Sequence, residues 1–280
     1  MKNNFVLFVL ILVLTFVFCD VSSVKAQGSE KIRILLVPGH ESNFGGTEFR
    51  GIKERDMAVE LSKNLKKLLE EDGIYEVFVT RDGVSWSPTF KNYFKKNWNG
   101  IISWKNKMIK EDMKNISDGL ITKPVQSVYH NSVSKNIAVH LYGITKWANE
   151  NKIDVMVHIH FNDNPEHIDS NQGEYSGFAI YVPVDQYKNS FISRNIAQSV
   201  FNKLLETNSV SNMKNESVGI VSEPSLIAIG AHNSSSVPSI LIEYGYIYES
   251  KFLKSDSRHK LMKDLAQETY NGLKEYFVNR

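Results

Sequence analysis

From Lys31 onward the chain alternates short apolar runs with longer amphipathic ones, and this alternation leaves few architectures open. A short apolar run suits a strand buried on both faces, and a longer amphipathic one suits a helix covering it. The repeat therefore predicts an α/β domain with a twisted, mostly parallel sheet flanked by helices on both faces. RILLVPGH reads as the first strand, and ERDMAVELSKNLKKLLEEDG as a helix. In that helix Met57, Leu61, Leu65, Leu68 and Leu69 recur at three- and four-residue spacing, and Gly73 stops it. YEVFVTRDG is a second strand, NIAVHLYGITKWANEN a second helix, DVMVHIHF a third strand and SGFAIYVP a fourth. A helix over 187–206, a short strand at SLIAIG, a strong final strand at VPSILIEYGYI and a closing helix around 256–277 complete about six strands. No internal repeat and no Pro- or Gly-rich linker divides them, and 280 residues at 42% hydrophobic content can bury one substantial core.

One segment, 84–131, breaks the alternation. Trp86, Phe90, Tyr93, Phe94, Trp98 and Trp104 are interleaved there with Lys91, Lys95, Lys96, Lys105 and Lys107. It is too long for a plain loop and is expected to carry helix of its own. Its aromatics suit either packing on the scaffold, which their usual burial favours, or stacking on sugar rings with the lysines meeting an anionic polymer.

Residues 1–26 read as a secretory signal peptide, with Lys2 before the apolar run FVLFVLILVLTFVF and a cut expected after Ala26. That run is shorter than the roughly 18–20 residues of a spanning helix, although an uncleaved anchor is the competing reading. Cys19, the only cysteine, falls inside it behind Phe18, where lipid-attachment sites want a small residue. The exported domain, 27–280, would then have no thiol, so its core must hold it and any metal must be bound by His and carboxylates. Removing Lys2, Lys25 and Asp20 takes the formal charge from +2 to +1, which gives no argument for a nucleic-acid partner.

Parallel sheets place ligands at the carboxyl ends of their strands. The first strand ends at His40, in a glycine-flanked turn where a histidine is by default a surface residue. The third ends in HIHFND, where His158 and His160 share a face and His160 lies nearer the crevice. An isolated HxH is equally compatible with imidazoles bonded to backbone carbonyls and with a metal. Glu243 lies in the apolar final strand, where an unpaired carboxylate costs several kcal/mol, so it is salt-bridged, neutral or used. Glu54 suits a helix start through the dipole, but the helix after the first strand also brings it towards His40. Taken together, these residues meet the needs of a catalytic zinc site: two His and a carboxylate as ligands, an open position for water and a second carboxylate for proton transfer.

In order, VPGH, GIKERDMAVELSKNL, VTRDG, HIHFND and VPSILIEYGYIYES resemble the motifs of the zinc-dependent N-acetylmuramoyl-L-alanine amidases (amidase type 3 catalytic domain), enzymes of bacterial cell-wall turnover. The resemblance implies Zn2+ held by His40, Glu54 and His160, Glu243 as acid/base, and Asn162 helping to shape the substrate site. It also implies peptidoglycan as substrate and the amide between N-acetylmuramic acid and L-alanine as the bond hydrolysed. Three features depart from the family pattern: His158 stands where Ser is usual, HES replaces HGG, and HLYGITKWANEN lacks an obvious Arg. His158 is then a substrate contact, a packed side chain or a partner of the ligand His160. Glu41 and Glu48 lie near the metal loop but match no ligand position. The competing functions are a zinc peptidase or deacetylase on another exported amide, and a wall-binding protein that has lost catalysis.

Overall fold

The computed structural model describes residues 30–41, 46–126, 133–164, 167 and 171–278. The expected signal peptide and Cys19 lie outside them. From Lys31 the chain forms one compact unit. Its elements run β1 (Ile32–Pro38), β2 (Glu48–Phe49), β3 (Ile52–Lys53), α1 (Glu54–Asp72), β4 (Tyr75–Val79), α2 (Pro88–Ser117), α3 (Lys135–Glu150), β5 (Val155–Asn162), β6 (Ala179–Val182), α4 (Ser190–Leu205), β7 (Ile220–Ser222), β8 (Ser239–Tyr246), α5 (Ser250–Leu253) and α6 (Ser255–Val278).

Six strands form one sheet in the order β4-β1-β5-β8-β6-β7, while β2 and β3 make a separate two-stranded hairpin. Every neighbouring pair of the large sheet is parallel except β6 with β8. Period-2 alternation sorts the side chains onto two faces. Ile34 and Leu36 of β1 join Val157 and Ile159 of β5 under α1, α4 and α6, whose Leu61, Val200 and Leu265 belong to the same cluster. Leu35, Val37 and Met156 point the other way, towards Val139, Tyr142 and Trp147 of α3 and Phe90, Phe94 and Ile101 of α2. His158 and His160 share parity with Met156, so the polar end of β5 opens on the α2–α3 side.

The segment 84–131 contains the 30-residue helix α2, started by Pro88 at its first turn. Phe90 and Phe94 are buried, and Trp86, Tyr93, Trp98 and Trp104 pack partly buried against the same cluster. Lys91, Lys95, Lys96 and Lys107 are exposed. Packing on the scaffold is thus what these aromatics do, each fully buried Phe contributing about 1.5–3 kcal/mol.

One local expectation is corrected. SLIAIG is not a strand but a 3₁₀ turn, Ile227–Ile229, stopped by Gly230 at φ 101°. Its apolar residues Ala228 and Ile229 pack on Tyr181 and Leu241, so burial without ladder pairing produced the strand-like run. The edge strand β7 and the β2–β3 hairpin are too short, at three and two residues, to show a period.

Candidate metal centre

The β1 strand delivers His40 into a turn where it adopts φ 65°, a left-handed conformation uncommon outside glycine. Such backbone strain persists only where neighbours over-determine it. Arg81, just past β4, is one of those neighbours and is 1% exposed. Its guanidinium donates to the carbonyls of Gly39, Arg55 and Gly83. One planar fork thereby ties the β1 turn to the first turn of α1, and burial lowers the Arg81 pKa to about 10.

Glu54 is the first residue of α1, 3% exposed. Its Oε2 lies 2.7 Å from His40 Nε2, and its Oε1 lies 3.0 Å from His160 Nδ1. The same oxygens accept from the backbone N–H groups of Thr47 and Phe161, each at 3.1 Å. Burial alone would raise this carboxyl, but the two imidazoles, His40 foremost, outweigh it and hold Glu54 far below the usual carboxylate range. One ligand atom from each of His40, Glu54 and His160 lies within 4.8 Å of the others. The structure thus brings together the three residues picked out as ligands.

Two glycines make room for this cluster. A Cβ on Gly39 would sit 2.5 Å from the His160 ring, and one on Gly46, at φ 73°, would collide with Glu54 Oε2 and the His40 ring.

Glu243 is the register partner of His160 across the parallel β5–β8 ladder. Its Oε2 is buried with no hydrogen-bond partner among the described residues. Burial first, then the charges of Glu54 and Glu216, raise its pKa well above the ordinary value. Just beyond, the ladder is bulged, so that Asn162 pairs with Tyr246. Asn162 Nδ2 donates to Glu216 at 2.7 Å.

His158 is 1% exposed, and among the described residues its ring nitrogens have no well-aligned hydrogen-bond partner, the nearest being the backbone of Ala228. Burial drives its pKa down to about 3. With His40, Glu41, Trp86, His140 and His160 it lines a cavity of about 200 Å³, walled otherwise largely by apolar side chains. Glu41 does not join the ligand cluster but meets His140 Nδ1 at 3.1 Å. Trp86, Phe94 and Trp98 surround that imidazole at centroid distances of 4.7–5.1 Å. Glu48 lies apart, paired with Lys53 at 3.6 Å. Sequence reasoning missed the roles of Arg81, His140 and Glu216; only Arg81 had a signal, as the centre of the TRD tripeptide.

The profile of the N-acetylmuramoyl-L-alanine amidase family matches residues 34–275, which takes in every element from β1 into α6. The chain belongs to this family. A Buchnera aphidicola protein assigned as an N-acetylmuramoyl-L-alanine amidase is 28% identical over 262 residues, covering 89% of this chain and 96% of its own. Among solved structures, an N-acetylmuramoyl-L-alanine amidase from Clostridium difficile 630 superposes with a TM-score of 0.56 at 18% identity, covering 90% of this chain and all of its own. The CwlD amidase of Clostridioides difficile, solved in complex with the GerS lipoprotein, gives a TM-score of 0.58 at 17% identity over 89% of this chain and 100% of its own. At these identities the structural likeness establishes the amidase-type α/β fold. Family membership identifies the activity as N-acetylmuramoyl-L-alanine amidase, with the His40, Glu54 and His160 cluster as the candidate metal site.

Proposed function

We propose that this amidase is a zinc enzyme in which His40, Glu54 and His160 hold the ion and Glu243 is the general acid/base. We further propose that it acts on peptidoglycan after export through the N-terminal segment. The observation that carries the reading is the convergence of two imidazole nitrogens and a carboxylate within 4.8 Å, beside a second carboxylate on the neighbouring strand. The donor set suits zinc, and the glycines at 39 and 46 leave the space that a bulkier residue would fill. When bound, zinc would polarise the scissile carbonyl and acidify a water molecule.

The remaining work belongs to the chain. Glu54, held by two backbone N–H groups, keeps both imidazoles directed at one point. Arg81 keeps the His40 turn in its strained conformation. Glu243, set beside His160 by the strand register, accepts the proton of the attacking water and returns it to the departing L-alanine amine. Asn162 helps to shape the substrate site, and His158 contributes a neutral ring to the cavity wall. Among the described residues no helix is long and apolar enough to cross a membrane.

Metal analysis tests the ligand set. Purified protein dialysed against zinc should retain one equivalent, and His40→Ala, Glu54→Ala and His160→Ala should each lose it. Full zinc retention by any one of the three would remove that residue from the set.

A further inference from the structure

Close to Glu243 the molecule contains a further buried carboxylate, which the mechanism does not use. Glu216, in the loop between α4 and β7, is 1% exposed and accepts four hydrogen bonds. Its Oε1 takes the Asn162 side-chain amide at 2.7 Å and the Tyr181 hydroxyl at 2.5 Å. Its Oε2 takes the hydroxyls of Ser211 and Tyr246, each at 2.6 Å. A buried carboxylate costs several kcal/mol unless its lone pairs are filled, and here the filling is complete.

The donors come from the ends of β5 and β8, from β6 and from the loop before Glu216. Two of them, Asn162 and Tyr246, are register partners across the bulge that follows His160 and Glu243. Bulges beside active sites re-aim side chains, and Glu216 clamps this one from both strands. A carboxylate can only accept, so it turns the nitrogen end of the Asn162 amide towards itself. The oxygen end is fixed by the backbone N–H of Asp163 at 2.9 Å. The amide therefore has one orientation, with one N–H not engaged by Glu216.

We propose that Glu216 is a positioning residue for amide hydrolysis, clamping Asn162 and Tyr246 across the β5–β8 bulge so that Asn162 presents its side-chain amide to substrate in a single orientation. This rests on the reading of Asn162 as part of the substrate site. An apolar side chain could fill the same space, but it would remove the one acceptor that Asn162, Tyr181, Ser211 and Tyr246 share.

The test is a double-mutant cycle on the zinc-loaded protein with a muramoyl-peptide substrate, using Glu216→Gln, Asn162→Ala and the pair. Glu216→Gln keeps the side-chain volume but sets an NH2 against the donors. It should keep zinc and the fold while lowering kcat/KM by about tenfold to a hundredfold. In the Asn162→Ala background the same substitution should change kcat/KM by less than about twofold. A folded Glu216→Gln enzyme with wild-type kinetics, or an equal loss in both backgrounds, would overturn the proposal. A second readout does not depend on turnover: the Asn162 side-chain NH2 signal in 15N NMR, assigned by its loss in Asn162→Ala. It should be protected from solvent exchange in the wild type and unprotected in Glu216→Gln; unchanged protection refutes the clamp. Failure of the wild type to hydrolyse the amide would instead refute the functional reading, with the clamp decided by the NMR signal.

Discussion

His160 and Glu243 are register partners on adjacent parallel strands, so the candidate metal ligand and the candidate acid/base are set side by side by the backbone ladder. Their relative position then depends on strand pairing in the centre of the sheet, where β5 and β8 are buried along most of their length. A site built this way should tolerate loss of the Glu243 carboxylate without losing its shape.

Glu243→Gln should therefore keep one equivalent of zinc and an unchanged melting temperature while lowering kcat by roughly a hundredfold or more. Metal analysis beside turnover on purified peptidoglycan checks both halves. Near-normal turnover would remove Glu243 from the proton-transfer role.

Arg81→Lys should loosen the His40 turn. An ammonium cannot reproduce the planar fork that serves three carbonyls, so buried acceptors lose their donors. The expected cost is about 1–3 kcal/mol of stability, with weakened zinc binding. Denaturant unfolding with competitive zinc titration measures the two effects. Wild-type zinc affinity in the variant would contradict the role of Arg81 in fixing the turn.

Phe90→Ala tests the packing of the aromatic segment. Phe90 is fully buried against Trp147, with ring centroids 4.8 Å apart. Truncation should cost about 3–5 kcal/mol. Charge reversal at the exposed Lys95 should stay within about 0.5 kcal/mol of the wild type. Equal stability of Phe90→Ala and wild type in urea would show that α2 does not contribute to the core.

Stability should fall on acidification, and His158 should contribute to the fall. Its folded pKa is depressed from 6.5 to about 3, so the unfolded chain binds a proton that the folded one excludes. The contribution is intact above pH 6.5 and is lost as the pH drops towards 3, at about 1.4 kcal/mol per unit. Unfolding free energies measured over that window should decline less steeply in His158→Leu. Parallel pH dependences would mean that His158 is not held neutral.

Much of this was legible in the sequence because the relevant signals are local. The strand and helix periods of RILLVP, the Met57–Leu69 helix and DVMVHIHF predict the sheet, and placing His40, His160 and Glu243 at or near strand ends predicts their convergence. Glu54 was ambiguous as a helix-start residue, and the structure shows why: it does begin α1, and from there its carboxylate reaches both histidines. What stayed hidden depends on long-range contact. Glu216 lies in an irregular loop and gains meaning only through Asn162, Tyr181 and Tyr246, which are far from it in sequence. The pairing of Glu41 with His140 spans 99 residues and had no periodic signature. SLIAIG misled because an apolar run reports burial, and here burial comes from a 3₁₀ turn.

The most direct measurement is digestion of purified peptidoglycan by the 27–280 domain, with and without a chelator, followed by mass spectrometry of the released fragments. Stem peptides bearing a free L-alanine amine, released by the untreated enzyme, absent with chelator and restored by zinc, are the predicted result. Release that persists without metal, or cleavage at any bond other than that amide, would contradict the account.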